Sequence, residues 1–370
     1  MIRILHSVSN MDRAGIETML MNYYRHIDRN KIQFDFLCNK TKPGAYDEEI
    51  RSLGGKIFHA PGLNPLKYPK YLKFMADLFS KHPDYQIVEA HNGALGVYAL
   101  HAAKRNRVPV RIFHAHGASI AKDLKYPLKL VCRKLLPLNM NQHFTCGEAS
   151  AKCYFTKRVF AEGDYVLIPN AIELDRFLFN AEIREKIRKE NGLEDKHVVG
   201  HVGNYTPPKN HMFLIGVFAE LKKKDPQACL VLIGGGEHME AVKRRAQELG
   251  VADSVRFMGS LSNANEWYQA FDVFVMPSLR EGLPLVGIEA QAADLPCFFS
   301  TSVTSEVGIL DKTCFIDLKQ GSEKWAEAIQ GAFKNQERTN VRQILAEHGY
   351  DIETEAIKLQ ERYLKLVGEL

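Results

Sequence analysis

The sequence lacks three features that would place it in other classes of protein. It contains no run of 18 or more apolar residues, so it predicts no membrane-spanning helix. Its 7 cysteines include no Cys-x-x-Cys pair and lie in apolar surroundings, and we expect reduced, buried thiols. No Asp-x-Asp motif supplies clustered carboxylates to Mg²⁺ or Mn²⁺. The opening Met-Ile-Arg-Ile-Leu-His predicts a strand rather than a signal peptide.

Length and charge indicate two domains with different surfaces. At 370 residues the chain exceeds the size at which a single hydrophobic core usually keeps growing. Residues 1–170 carry 25 Lys and Arg against 14 Asp and Glu, whereas residues 171–370 carry 24 against 30. The basic first half predicts an anionic partner. Nucleic acid is one such partner, but an anionic membrane surface is the better match.

Two stretches of the chain repeat the same order of elements. Arg3–Ser9 is typical of a buried strand, and a loop with Gly15 and an amphipathic helix through about His26 follow it. The pattern restarts at Val198–Gly203, after the charged stretch Asn180–Lys196, which we interpret as a helix and linker. Repeated strand–loop–helix units predict an α/β fold with two doubly wound domains.

The most specific pattern in the chain follows the apolar strand Asp272–Met276. A loop with Glu281 and Gly282 comes next, and a helix is predicted to begin near Leu285. A strand, a tight loop and a helix start present backbone N–H groups and a positive dipole end to a phosphate. Ionised carboxylates have only acceptor atoms, so Glu281 and Glu289, about one turn into the helix, suit sugar hydroxyls. The alternative interpretation is that both glutamates are solvated charges near a helix start, where acidic residues are favoured in any case.

The spacing Glu281-x7-Glu289, within Glu-Gly-Leu-Pro-Leu-Val-Gly-Ile-Glu, resembles the signature of the retaining nucleotide-sugar glycosyltransferases of family 4. The resemblance runs along most of the chain and is strongest to the bacterial capsular and exopolysaccharide type. It implies the GT-B fold, in which two Rossmann-like domains face a cleft. Residues 1–175 would then form the acceptor-side domain and residues 176–350 the domain that binds the nucleotide sugar. The last helix, in residues 351–370, would pack back toward the first domain.

The resemblance also implies an activity. A sugar would move, with retention of its anomeric configuration, from a nucleotide diphosphate sugar, expected to be a UDP-sugar, to a glycan or polyprenyl-diphosphate-linked acceptor in polysaccharide biosynthesis. No cofactor and no metal would be needed, because Lys209, the helix dipole and backbone amides would counter the charge of the leaving group. The donor-binding residues would be Gly15, Asn204, Lys209, Met258, Gly282, Leu285, Val286 and Glu289, and the catalytic residues His114, His116, Lys209 and Glu281.

Three histidines end two neighbouring predicted strands. His91 follows the first strand, and His114 and His116 end the second. In parallel sheets, ligands bind at the edge that is formed by the carboxyl ends of the strands. A zinc site is one interpretation, although no acidic or thiol ligand accompanies the three at a useful spacing, and hydrogen bonding within the loops is another. The resemblance implies a third, in which His114 or His116 points at the hydroxyls of the donor sugar, and the spacing does not separate these two.

One position departs from the family pattern. The loop after Val198–Gly203 usually carries Arg directly after the glycine, and this sequence has Asn204 there, whereas Lys209-Asn210 matches. Asparagine can donate a hydrogen bond to a phosphate, but it brings neither the charge nor the paired donors of Arg. A binding or scaffold subunit without turnover is therefore one alternative. A nucleotide-sugar 2-epimerase, which would need no acceptor, is another.

The segment Lys122–Leu136 is basic and amphipathic. Its predicted apolar face consists of Leu128, Val131, Cys132 and Leu135. Such a helix either packs this face into the core or lies on anionic lipid, where each basic residue adds on the order of 1 kcal/mol. The segment is too short to span a bilayer. We therefore expect a cytoplasmic protein with peripheral contact to the anionic inner face of the plasma membrane, and no nucleic-acid partner.

Overall fold

The computed structural model describes residues 1–117, 119–120, 122–334 and 337–370. It divides into two compact units, residues 1–171 with 352–370 and residues 172–351. The sequence prediction divided the chain after residue 175. Ile172 belongs to the second unit because its N–H donates to the carbonyl of Tyr350 at 3.0 Å and because it forms an isolated parallel bridge with Asp351.

The first unit contains a parallel sheet flanked by helices. Its strands are β1 Ile2–Val8, β2 Ile32–Cys38, β3 Ile57–His59, β4 Tyr85–Ala90, β5 Val110–Ala115, β6 Gln142–Thr145 and β7 Val166–Leu167. Its helices are α1 Gly15–His26, α2 Asp47–Ser52, α3 Tyr68–Lys81, α4 Val97–Arg105, α5 Tyr126–Leu135, α6 Glu148–Tyr154, α7 Lys157–Glu162 and, from the end of the chain, α15 Ile352–Leu366. The strands lie in the order β3-β2-β1-β4-β5-β6-β7. Every residue of β2 is buried, as expected for a parallel strand covered on both faces.

The second unit repeats this architecture. Its strands are β8 His197–Val202, β9 Ala228–Ile233, β10 Val255–Gly259, β11 Val273–Met276, β12 Cys297–Ser300 and β13 Thr313–Ile316. Its helices are α8 Ala181–Glu190, α9 His211–Lys224, α10 Met239–Glu248, α11 Ala264–Ala270, α12 Leu285–Ala292, α13 Gly321–Ala332 and α14 Arg342–Glu347. The sheet order is β10-β9-β8-β11-β12-β13, with parallel pairing.

The direction of the strand order reverses within each sheet, and this reversal places the candidate sites. It lies between β1 and β4 in the first unit and between β8 and β11 in the second. In open α/β sheets, ligands bind beyond the carboxyl ends of the strands at such a switch point. The loops 203–210 and 277–284, which follow β8 and β11, therefore lie at the ligand-binding edge of the second unit.

Helix α15 completes the core of the first unit. Its buried side chains in the cluster that also contains β1 and α1 are Ile352, Ala356, Leu359, Tyr363 and Leu364. The main-chain N–H of Asp28 donates to Gln360 Oε1 at 2.8 Å. Within the described ranges, no helix has both the length and the apolar character needed to cross a bilayer.

Candidate active site

The first part of the site is the start of α12 in the second unit. The helix begins at Leu285, and Pro284 before it provides no side-chain cap. Its first turn carries no acidic residue. The first backbone N–H groups of a helix have no partner within the helix, so this end offers donors and a positive dipole to an anion. Glu281, in the loop before it, is partly exposed.

Glutamine 291 fixes the position of α12 on the body of the unit. Gln291 is fully buried, and its Nε2 donates to the carbonyl of Val307 at 2.6 Å. Its Oε1 accepts from the main-chain N–H groups of Ile309 at 2.9 Å and Leu310 at 3.0 Å. A buried amide with its hydrogen bonds made locks the helix to one arrangement. Helix α12 is therefore anchored to the body of the unit through Gln291.

Glu289 is held by a tyrosine that the sequence did not indicate. The hydroxyl of Tyr268, on α11, donates to Glu289 Oε2 at 2.6 Å. Part of the Glu289 side chain is exposed, but protein surrounds its carboxyl group, and this burial raises its pKa against the opposing effects of Tyr268 and Arg176. Among the described residues, no donor is recorded for Oε1. One carboxylate oxygen thus orients the group, and the other is available to accept hydrogen bonds.

The loops after β8 and β11 are joined by three polar contacts. Lys209 Nζ lies 2.7 Å from Glu281 Oε1, and both side chains are about one-fifth exposed, at 19% and 20%. The N–H of Leu279 donates to the carbonyl of Pro208 at 2.8 Å. The side chain of Asn210, whose φ is 58°, donates to the carbonyl of Pro277 at 3.1 Å. The structure therefore brings two predicted catalytic residues into direct contact.

A glycine turn supports the first of these loops from behind. Gly203 N–H donates to the carbonyl of Ile233 at 2.8 Å, and Tyr205 N–H donates to that of Gly235 at 2.8 Å. Gly234 has a φ of 149°, and a Cβ atom there would lie 2.1 Å from the carbonyl oxygen of Gly203. Only glycine permits this close approach of two backbones. Asn204, in the supported loop, is exposed.

The predicted site residues fall into two groups. In the second unit, the loops after β8 and β11, the end of β10 and the first half of α12 carry Asn204, Lys209, Met258, Glu281, Gly282, Leu285, Val286 and Glu289. In the first unit lie Gly15, His114 and His116. Gly15 is exposed at the start of α1 and is separate from the two histidines in sequence and element.

The first unit contains a cluster of four histidines and one glutamate at the carboxyl ends of β1, β4 and β5, in which all members except the partly exposed His116 are buried. His6 Nδ1 lies 3.1 Å from His91 Nε2, and His91 Nδ1 lies 2.8 Å from His116 Nε2. His114 Nδ1 lies 2.8 Å from Glu89 Oε1. The ring of His114 stacks on that of His116 with a centroid distance of 4.1 Å.

Burial keeps these imidazoles neutral. It lowers the pKa of His6 to about 4 and that of His114 to about 3, and it lowers the pKa values of His91 and His116 well below their ordinary value. Burial raises the pKa of Glu89. One nitrogen from each of His91, His114 and His116 lies within 4.8 Å of the others, so these three could also hold a metal ion. Neutral imidazole serves either as a metal ligand or as a hydrogen-bonding partner.

Sequence reasoning missed three members of these sites, although two of them gave a signal. His6 and Glu89 are polar residues inside strands that are mostly apolar, and a buried polar residue in a strand needs a partner. Tyr268 gave none, because an aromatic residue on a helix is usually part of the core.

Two family descriptions match the chain. Glycosyltransferase Family 4 matches residues 13–176, and Glycosyl transferases group 1 matches residues 183–351. The putative glycosyltransferase EpsF of Bacillus subtilis is 35% identical over 356 residues, which cover 94% of this chain and 93% of EpsF. The UDP-Gal:alpha-D-GlcNAc-diphosphoundecaprenol alpha-1,3-galactosyltransferase of Escherichia coli is 25% identical over 318 residues, which cover 81% of this chain and 79% of that enzyme.

Solved structures share the fold. Anabaena Alr3699/HepE, determined in complex with UDP, has a TM-score of 0.80 at 16% identity. The match covers 99% of this chain and 100% of HepE. WaaG, a glycosyltransferase involved in lipopolysaccharide biosynthesis, has a TM-score of 0.69 at 15% identity, with 97% of this chain and 98% of WaaG covered. Both confirm the predicted architecture of two parallel-sheet α/β domains. The two family matches and the relationship to EpsF show that this chain belongs to the glycosyltransferases that combine a family 4 domain with a group 1 domain in the GT-B fold.

Proposed function

We propose that the chain transfers a sugar from a UDP-sugar to a lipid-linked glycan acceptor, with the nucleotide diphosphate held by loop 277–284 and the start of α12. The observation that carries the proposal is the Lys209–Glu281 contact of 2.7 Å beside the uncapped start of α12. A cation, a carboxylate and the positive end of a helix lie close together in this loop and helix start, and these are groups that suit a diphosphate and a sugar. The HepE structures in complex with UDP and with UDP-glucose support the choice of nucleotide.

The diphosphate is bound without a metal ion in this proposal. Lys209 supplies one positive charge, and the start of α12 supplies backbone donors in a fixed position. The sequence offers no Asp-x-Asp motif for the alternative, a cation bridged between carboxylates and the diphosphate. Glu289 would accept hydrogen bonds from the ribose hydroxyls, Glu281 from the sugar, and the backbone near Met258 would contact the base.

Retention of configuration would follow a front-face route. An oxygen of the leaving diphosphate takes the proton of the acceptor hydroxyl while the acceptor oxygen bonds to the anomeric carbon on the side that the leaving group departs from. This route needs no protein base, and the low pKa of His114, about 3 because of its burial, suits a neutral hydrogen-bonding group. NMR of the product tests it: a product with the donor's anomeric configuration supports the route, and inversion rejects it.

The acceptor is proposed to be lipid-linked. The E. coli relative is named for transfer to a glycan on diphosphoundecaprenol, and the exposed surface around α5 has the character of a lipid-binding face. Of the predicted apolar face, Cys132 is buried and Leu128 packs on the core, whereas Val131 and Leu135 are exposed. Tertiary packing therefore divides the predicted face between core and solvent.

Exposed apolar residues lie on α5 and in other segments of the first unit. Those on and beside α5 are Leu66, Leu124, Leu130, Val131, Leu135 and Leu138. Lys125, just before α5, has its Nζ 3.4 Å from the carbonyl of Leu63, and Lys104, on α4, has its Nζ 2.7 Å from that of Leu138, so lysine side chains contact the backbone near Leu66 and at Leu138. Exposed leucines among lysines fit an anionic bilayer surface, where both burial and charge contribute.

Flotation with phosphatidylcholine vesicles, with and without phosphatidylglycerol, tests the membrane contact. We expect the protein to float only with the anionic vesicles and to be released by high salt. The double variant L124S/L130S should lose about tenfold in partitioning, while the control I344S, at an exposed apolar position of the second unit, should not. Equal flotation of both variants, or no flotation at all, would reject this surface.

Calorimetry with UDP-, GDP- and ADP-sugars in EDTA tests the proposed donor. We expect binding of a UDP-sugar and weaker binding of the other two classes. Preference for another nucleotide would overturn the choice of UDP. Absence of any binding would overturn the proposed function.

A further inference from the structure

The buried carboxylate of Glu89 joins a histidine to a tyrosine from the far end of the chain. His114 Nδ1 lies 2.8 Å from Glu89 Oε1, and the hydroxyl of Tyr363 donates to Glu89 Oε2 at 2.6 Å. All three side chains are at most 2% exposed. Both carboxylate oxygens therefore have a partner, and the three side chains form a continuous hydrogen-bonded series.

Three different elements hold this series in place. Glu89 is on β4, His114 on β5 and Tyr363 on α15. The Tyr363 ring packs edge-on against Phe34, with centroids 6.1 Å apart, and lies 6.2 Å from the ring of Phe144. The orientation of the tyrosine hydroxyl is thus set by the core of the unit rather than by a flexible surface.

Among the neighbouring histidines, His114 is the one that makes a close contact with the carboxylate of Glu89. His91 uses one ring nitrogen toward His6 and the other toward His116, at 3.1 and 2.8 Å. Its Nε2 lies 3.6 Å from Glu89 Oε1, which is beyond a normal hydrogen bond. The single close imidazole partner of this carboxylate among the described residues is therefore His114.

The second ring nitrogen of His114, Nε2, indicates which tautomer the imidazole adopts. His114 Nε2 is buried, and no partner is recorded for it among the described residues. If Glu89 is ionised, Nδ1 carries the proton and Nε2 presents a lone pair. If Glu89 is protonated on Oε1, that proton is donated to Nδ1 and Nε2 carries an unpartnered N–H. Buried N–H groups without a partner are rarer than unpartnered acceptors, so the first arrangement is favoured, and the Tyr363 hydrogen bond stabilises it.

We propose that Tyr363 and Glu89 are positioning residues that hold His114 in its Nδ1–H tautomer, so that Nε2 accepts a hydrogen bond from a hydroxyl of a bound sugar. The identity of the ligand rests on the proposed function, but the tautomer does not. A residue of the last helix would in this way control a hydrogen-bonding group on β5. The sugar hydroxyl could belong to the donor or to the acceptor, and binding measurements separate the two.

The tautomer is tested by long-range ¹H–¹⁵N NMR on protein labelled with ¹⁵N-histidine, with H114Q used to assign the signals. We expect Nδ1 of His114 to be protonated and Nε2 to be unprotonated at pH 7 in the ligand-free protein. Protonation at Nε2, or of both nitrogens, would overturn the proposal. Stoichiometric zinc in the purified protein, bound by His91, His114 and His116, would overturn it as well.

Two matched tyrosine variants test the positioning role. Y363F removes the hydroxyl that contacts Glu89, whereas Y23F removes one that donates to the carbonyl of Pro169 at 2.8 Å in the same unit. The measured quantity is the ratio of the dissociation constants of UDP-glucose and UDP. We expect Y363F to weaken the binding of UDP-glucose relative to UDP about tenfold, with the dissociation constant of UDP unchanged. Y23F should leave the ratio of the two dissociation constants unchanged.

The same variants distinguish the two sources of the hydroxyl. If Y363F leaves the UDP-glucose ratio intact but raises KM for the acceptor about tenfold, the hydroxyl belongs to the acceptor and the positioning role stands. Equal effects of Y363F and Y23F in both measurements would reject the role. A failure of UDP to bind any variant would reject the proposed function while the NMR result on the tautomer still stands.

Discussion

Lys209 Nζ and Glu281 Oε1 lie 2.7 Å apart, where the loops after β8 and β11 meet. The ligand-free protein therefore balances the charge of the lysine with a carboxylate. In the proposed function, a bound diphosphate would compete with Glu281 for this cation. The two residues should then affect nucleotide affinity in opposite directions, which gives the site a signature that a purely structural ion pair would not have.

Substitution of this pair should separate the nucleotide from the sugar. We expect K209A to weaken UDP binding about tenfold, because it removes a charge-assisted contact to phosphate. We expect E281Q to tighten UDP binding by about threefold, since Lys209 is released, and to reduce the additional affinity that the sugar of UDP-glucose provides. Calorimetry with UDP and UDP-glucose measures both. Weaker UDP binding by E281Q would contradict the role assigned to the pair.

Loss of Glu289 should weaken donor binding more than loss of an acid elsewhere. We expect E289A to raise the dissociation constant of the donor by more than tenfold, because it removes an acceptor of two hydroxyl hydrogen bonds. E327A, which removes a glutamate from a surface ion pair on α13, is the control and should leave the constant unchanged. Equal donor affinity of E289A and the wild type in a calorimetric titration would reject the ribose-binding role.

Transfer should proceed without divalent cations. The charge of the leaving diphosphate is assigned to Lys209 and the start of α12, so we expect full activity in EDTA. The measurement is the initial rate of transfer before and after dialysis against the chelator. A loss of activity that Mn²⁺ restores would contradict the metal-free mechanism.

An arginine at position 204 should strengthen nucleotide binding. Asn204 is exposed in the loop that the glycine turn supports, so a longer side chain has room there. A guanidinium group adds a charge and paired donors for phosphate, and we expect N204R to tighten UDP binding about tenfold. N204Q, which is longer but uncharged, is the control. Similar affinities for both variants would show that this loop does not face the diphosphate.

Burial of the Glu289 carboxyl group should reduce stability at neutral pH. Its pKa in the folded protein is raised above the ordinary value of 4.5, so the folded state binds a proton more tightly than the unfolded state does. The stabilising contribution of the protonated form is present below pH 4.5 and is lost as the pH rises through the raised value. We therefore expect E289Q, which can still accept from Tyr268, to unfold at a temperature about 2 °C above the wild type at pH 7.

The difference in unfolding temperature between E289Q and the wild type should disappear in acid. Below the ordinary glutamate pKa, wild type and E289Q carry the same charge at this position, and their unfolding temperatures should converge. Scanning calorimetry across this pH range provides the measurement. A gain that does not depend on pH would assign the effect to packing rather than to the buried charge.

The sequence predicted both parallel sheets but not every strand in them. Continuous apolar runs such as Ala228–Ile233 identify central strands, because both faces of such a strand are covered. The edge strand β13, Thr313–Ile316, was missed because it is short and partly exposed, with no distinctive pattern. The short helices α2 and α7 were missed for a similar reason, since six residues are too few to show a helical period.

The sequence indicated candidate site residues where they lie close together in the chain. Glu281 and Glu289 lie on either side of one loop and helix start, and their spacing carries the family signature. Tyr363 and Glu89 are separated by 274 positions, and only tertiary folding brings them together. Contacts of this kind leave no local pattern, because each residue alone is compatible with ordinary core packing.

A crystal structure of the protein with UDP, grown without divalent cations, tests the central claim most directly. We predict that the diphosphate contacts Lys209 and the first N–H groups of α12, and that the ribose hydroxyls donate to Glu289. UDP bound elsewhere, or bound only when a divalent cation bridges its phosphates, would contradict the account.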